Sequence, residues 1–454
     1  MNPQGERWTT DQVLALAPDE ASRKAGGRLA APGPWSETGA DEGAVWGQCK
    51  GSGKKPYQAV VDIKGPAFKC SCPSRKFPCK HALGLLLLWA GEERTVAAGE
   101  PPQWAGEWLA GRRERAERSA GVPSGGGAPS RAPADPEAAR RRAERRMQRI
   151  GAGATELEQR LEDLLHSGLA SADRADGRGS WDETAARMVD AQAPGLAARV
   201  RELGSVMASG PDWPARLLEE CALLHLLDQG FLGIERLPAP LAATVRSRVG
   251  LTTEAADLLT GPDAATVRDR WLVLAQQDSE DGKLTTRRIF LRGERTGRMA
   301  LHLSFGASHH PLDLALPPGL VLDADLAYYP GARPLRAALG ERHAPAAPGP
   351  VPPGCGVDAA LAAYGDALRD DPWLDSWPVV LADVTPIPGH DGAGWQLADA
   401  DGESALPLDP RCLGRTSLWQ LAAISGGTPI TVFGECGHRG FLPLTAWDPT
   451  PVSL

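Results

Sequence analysis

Residues 70–81 read Cys70-Ser71-Cys72-Pro73-Ser74-Arg75-Lys76-Phe77-Pro78-Cys79-Lys80-His81: a Cys-x-Cys pair, six intervening residues, then Cys-x-His. Three thiolates and one imidazole make a full tetrahedral set for Zn²⁺, which favours sulfur and neutral nitrogen. Alternate residues of a strand point to opposite faces, so Cys70 and Cys72 converge on one ion only where the second begins a turn out of the strand. Cys79 and His81 then come from the first turn of a helix. Lysine ammonium groups nearby help keep the thiols deprotonated. The pattern marks Cys70, Cys72, Cys79 and His81 as ligands of one structural Zn²⁺. With no position left for a water, hydrolytic zinc chemistry is not expected.

Working outward, residues 44–49 and 56–63 alternate as strands do, 67–72 is a short extended piece, and a helix is expected from about 79 to 92. The order strand, strand, short strand, helix places the four ligands at a strand-to-helix corner. The same stretch concentrates charge. Of 49 basic residues only nine are Lys, and seven of those lie between Lys50 and Lys80, where Asp62 is the single acid. That segment carries +7 in a chain whose total is −8, so a compact basic module on an acidic body is expected. Lys50, Lys54, Lys55, Lys69, Arg75, Lys76 and Lys80 are the candidate contacts to nucleic acid or to a partner protein.

This segment resembles the SWIM zinc finger, whose pattern is Cys-x-Cys, a variable gap, then Cys-x-His on a ββα scaffold. The likeness runs back through Gly51-Ser52-Gly53 and Pro56-Tyr57 and forward through Ala82-Leu83-Gly84-Leu85, wording similar to a group of bacterial SWIM-finger proteins. The resemblance implies the ligand roles of Cys70, Cys72, Cys79 and His81 with no departure at the four positions. SWIM fingers are thought to bind DNA or proteins, so it leaves the partner open.

The whole chain reads as α+β and multi-domain. A SWIM-type domain is expected over 1–100 with its core at 44–92, a Pro/Gly/Arg-rich linker over 101–150, a helical region over 151–265 and a β-rich region over 266–454. Apolar residues at three-to-four spacing over 155–169, 181–203, 213–229 and 241–259 predict helices. Runs at 271–277, 287–291, 299–305 and 319–329 predict antiparallel strands, and 357–369 one further helix. Residues 112–149 add +6 from eleven Arg against five acids.

Weaker signals have plain readings. Gly51-Ser52-Gly53-Lys54-Lys55 lacks the spacing and the Ser or Thr of a phosphate-binding loop. Asp399-Ala400-Asp401-Gly402-Glu403 lacks the later Glu of a calcium loop and reads as a hairpin turn. Cys221 and His225, one helical turn apart among leucines, read as core. Cys436-Gly437-His438 has no Cys-x-Cys partner, and His309-His310 reads as a loop. Trp373, Trp377, Trp395, Trp419 and Trp447 are expected to close small β cores.

Nothing resembles a nucleophile elbow, a dinucleotide fingerprint or a paired-carboxylate site, so the protein is expected not to be an enzyme. Its longest apolar run, 82–90, is about half a membrane span, and the start lacks a signal pattern, so a cytoplasmic place is expected. Four of the eight cysteines are scattered singly, unlike a disulfide scaffold. The leading expectation is a non-catalytic adaptor contacting protein partners, and the alternative is DNA binding through the lysine-rich surface. No small-molecule substrate is evident.

Overall fold

The computed structural model describes all residues except 1–6, 18, 19, 52, 54, 65, 66, 75, 77, 92–94, 120–135, 170–174, 208, 209, 263, 283, 308–311, 313, 390–393 and 411–416. The chain opens with helices α1 (Thr10–Ala15) and α2 (Glu20–Gly27). A sheet follows, made of β1 (Trp35–Ala40), β2 (Ala44–Cys49), β3 (Tyr57–Asp62), β4 (Ala67–Cys70) and β5 (Ala97–Ala98). Its order is β4-β3-β2-β1-β5, antiparallel except for the β1–β5 pair. Between β1 and β2, the Asp41 carboxylate accepts from the Gly43 and Ala44 amides, both at 2.7 Å, and so closes the turn.

Helix α3 (Lys80–Gly91) crosses one face of this sheet, and α4 (Gln103–Ser119) covers the other. Residues His81 to Trp89 of α3 are all buried, because a helix apolar on every side must be enclosed on every side. At its crossing with α2, a Cβ on Gly84 would lie 2.6 Å from Leu29 Cβ, and one on Gly26 would lie 2.8 Å from Leu83 Cβ. Only glycines permit that approach. Gly84→Ala is therefore expected to cost about 1–3 kcal/mol by overpacking, read as a lower urea midpoint.

The helical region contains α5 (Pro136–Ser167), α6 (Ala175–Asp190), α7 (Pro194–Val206), α8 (Trp213–Leu232), α9 (Ala239–Val249) and α10 (Ala255–Thr260). Ile150, Ala154, Leu157 and Leu161 form the α5 stripe, at most 3% exposed, against Leu217, Cys221, Leu224 and Leu227 of α8. The single helix expected over 181–203 is two, since Pro194 opens α7 after Gln192 takes a left-handed φ of 62°. Likewise the 241–259 run breaks at Gly250, φ 104°, the cap of α9.

Next come β6 (Thr266–Asp281), β7 (Leu284–Gly293), β8 (Met299–Ala307), β9 (Leu320–Tyr328), β10 (Ala337–Arg342) and β11 (Ala347–Pro348), in the order β10-β9-β6-β7-β8 with β11 beside β9. Helix α11 (Val357–Asp370) leads into β12 (Ser376–Ile387), β13 (Gln396–Ala398) and β14 (Ala405–Pro407). Helix α12 (Ser417–Ser425) precedes β15 (Ile430–Gly437), β16 (Gly440–Asp448) and β17 (Thr450–Ser453). This third sheet runs β14-β13-β12-β15-β16-β17. No described helix is long and apolar enough to cross a membrane.

The middle sheet is buried on both faces. Trp271, Val273, Ile289, Leu291, Leu322 and Leu326 share one core with α3 and the first sheet, while Leu272, Leu274, Phe290 and Val321 pack against the third. The metal-bearing module is thus fused to the β region through a common core, not suspended from a separate body. The linker expected over 101–150 is corrected at both ends. Ala105 and Leu109 of α4, with Trp104 and Trp108, close over Ala44, Trp46 and Val60, and the Arg-rich stretch from 140 is already α5.

Candidate metal centre

Strand β4 and helix α3 bring the four ligands together. Cys70 ends β4 opposite Ala59, and the chain leaves the strand tied to β3, the Ser71 amide donating to Gln58 O at 3.0 Å and the Gln58 amide to Ser71 Oγ at 2.9 Å. Cys72 therefore begins a turn, as the alternation of strand faces requires. Cys79 stands just before α3, its carbonyl accepting from the Leu83 amide at 3.0 Å, and His81 lies in the first turn. One ligand atom from each of Cys70, Cys72, Cys79 and His81 falls within 4.8 Å of all the others. Cys70 Sγ is 3.8 Å from His81 Nδ1, and the Tyr57 ring lies on the His81 ring at 4.8 Å.

The thiols show what the site needs. A hydrogen bond from Cys70 pulls the Cys79 thiol down to about 4, helped by His81 and by the Ala82 amide at the helix start. That same bond, together with burial, pushes Cys70 up, and burial pushes Cys72 up. Three sulfur anions at these separations require a metal ion, and the donor set fits zinc. Cys49 lies behind the corner, near Lys80, its thiol raised by burial, and contributes no ligand.

The lysines sort by strand register. Cys49 pairs with Tyr57, so Lys50 and Lys55, on the connection between β2 and β3, stand at the metal end of the sheet. Lys76 and Lys80, in the ligand loop and at the start of α3, stand there too, and all four are exposed. Lys69 is exposed on β4, opposite Val60 and therefore on the sheet face away from Cys70. Lys54 and Arg75 lie outside the described residues. Asp62 is at the other end, paired with Arg112 at 3.2 Å, beside a cleft of about 610 Å³ that Lys64, Arg342 and His343 also line.

Elsewhere, residues 399–403 do turn between the paired strands β13 and β14, but Asp399 has a task the sequence did not disclose: its carboxylate accepts from the Val357 amide at 3.0 Å and caps α11. Cys221 is core, whereas His225 is not. Its side chain is 56% exposed and meets the buried Glu158 at 2.6 Å. Cys436 is buried in β15 with no cysteine pair to complete a second zinc set among the described residues. His309 and His310 lie outside those residues. Trp377 and Trp447 are buried in the β core as expected, but Trp373 belongs to the helical core, its indole N–H donating to Leu223 O at 2.9 Å, and Trp419 is 69% exposed, edge-on to Trp395 at 5.1 Å. Sequence reading missed one group, Asp325, Glu341 and His343, which converge only because β9 and β10 pair. There His343 Nε2 bonds Asp325 Oδ2 at 3.0 Å at the β10 edge of the middle sheet, next to the Arg268–Asp323 ion pair.

Two family models match the chain: the SWIM zinc finger over residues 60–90, and the SWIM-associated four-helix bundle domain over residues 145–249. The first covers β3 from its fourth residue, β4, the four ligands and most of α3. The second runs from within α5 to the end of α9. No curated protein and no solved structure matches the chain.

Proposed function

We propose that this chain, a SWIM zinc-finger family protein, is a non-catalytic DNA-binding protein whose zinc holds a lysine-rich rim in fixed shape. One observation carries the reading. Lys50, Lys55, Lys76 and Lys80 are exposed at the metal end with Lys69 beside it, while the single acid of residues 43–91, Asp62, is at the opposite end and already paired. Both apolar faces of the finger are covered, by α3 with the middle sheet and by α4, so a partner meets polar, cationic surface. Four protein ligands leave zinc no place for a substrate or reactive water, in keeping with a structural role.

Phosphate contacts release counterions, so five lysines give a slope of about −4.5 in log affinity against log salt. Anisotropy of a labelled DNA duplex with the full chain measures it. Replacing Lys50, Lys55, Lys76 and Lys80 by Ala is expected to flatten that slope by about 3 to 4. Zinc content should not change. Salt-independent binding, or an unchanged slope in the variant, would sink the reading, and an acidic protein surface would then be the partner to seek.

A further inference from the structure

Asp228 is fully buried in the helical region, and no nitrogen or hydroxyl donor reaches either of its carboxylate oxygens, the polar group it meets being the Glu158 carboxyl. It faces Glu158 of α5, a side chain 10% exposed whose Oε1 is likewise unpartnered. Glu158 Oε2 is held from α8 by Gln229 Nε2 at 3.0 Å and by His225 Nδ1 at 2.6 Å. Leu157 and Leu161 on one helix and Leu224 and Leu227 on the other belong to the surrounding core. Among the described residues no lysine or arginine pairs with either carboxylate.

Two adjacent carboxylates in a dry core are costly without a countercharge. Burial, the Glu158 charge and a hydrogen bond to Glu158 push the Asp228 carboxyl up to about 9, so the pair needs either a shared proton or a cation between its oxygens. Orphaned buried polar atoms of this kind mark a missing ion or water. We propose that Glu158 and Asp228 hold a divalent cation between α5 and α8, with His225 and Gln229 as positioning residues that orient Glu158. Carboxylates projecting from facing helices are how bundles build such sites. A charge of +2 neutralises both groups, and oxygen donors suit Mn²⁺, Mg²⁺ or Ca²⁺ rather than the thiolate-seeking ion of the finger. His225, half exposed, marks the side from which an ion and its waters enter.

Mn²⁺ is the probe, added to the zinc-loaded full chain and followed by loss of the free-ion signal in electron paramagnetic resonance. A single bound Mn²⁺ is expected, abolished in Asp228→Asn and in Glu158→Gln with zinc content and helical circular dichroism unchanged. His225→Gln, at the solvent side, should weaken binding about 10- to 100-fold as an outer partner does, and it keeps the test decisive if a core variant misfolds. Equal Mn²⁺ binding by wild type and variants overturns the proposal. So does failure of the wild type to bind Mn²⁺, Mg²⁺ or Ca²⁺, in which case a shared proton closes the pair.

Discussion

Cys79→Ser is expected to empty the finger of zinc and to unfold the N-terminal module together with the packing of the middle sheet. Structural zinc contributes about 10–16 kcal/mol of apparent binding free energy in finger peptides, as much as or more than the about 5–15 kcal/mol that separates most folded domains from their unfolded chains. Cys79 is also the residue from which α3 starts, its carbonyl accepting from the Leu83 amide. Without it, nothing fixes the first turn of a helix whose residues His81 to Trp89 are buried. The effect cannot stop at the finger. Leu83, Leu85 and Leu86 occupy one core with Trp271, Ile289 and Leu322, so loosening α3 uncovers a face of the middle sheet. Metal analysis should fall from one zinc per chain to none, near-ultraviolet circular dichroism should collapse, and helical signal from α5 to α9 should persist because those helices have their own core. Cys221→Ser, in that other core, should keep its zinc. A Cys79→Ser chain with full zinc and an unchanged unfolding midpoint would overturn this account.

The metal centre was legible because it is local: four ligands within twelve residues, at a change of period from two to 3.6 that the sequence displays openly. What the sequence hid is non-local or locally irregular. Strand β1, Trp-Ser-Glu-Thr-Gly-Ala, has no apolar alternation, and it bends where Glu37 takes a left-handed φ of 51° between Ser36 and Gly39. Helix α4 was masked by its own arginines, although Trp104, Ala105, Trp108 and Leu109 already form a stripe at helical spacing. The run Trp271 to Ala275, buried throughout, signals a strand covered on both faces, but one strand cannot say what covers each. Glu158 and Asp228 are 70 residues apart, and only the α5–α8 contact makes them neighbours.

Arg288→Ala is expected to cost about 3 kcal/mol, the low end of the range for stranding one member of a buried ion pair, because Glu435 is buried while Arg288 itself is 31% exposed. Arg288 reaches from β7 to Glu435 on β15 with two hydrogen bonds, 2.9 and 2.8 Å, and so ties the middle sheet to the third. The Glu435 side chain is 8% exposed and keeps only the Ser376 hydroxyl, at 2.9 Å, once the guanidinium is gone. Arg288 also lies over the Phe290 ring at 4.9 Å, so packing is lost along with charge. The double variant Arg288→Met, Glu435→Leu separates the two contributions. It removes both charges and restores apolar volume beside Phe290 and Phe433, and exchanges of this kind are often neutral or stabilising. Urea midpoints should therefore rank the wild type and the double variant close together, with Arg288→Ala well below both. If the double variant is as weak as Arg288→Ala, the pair contributes through its charges after all and fixes how the two sheets are set against each other.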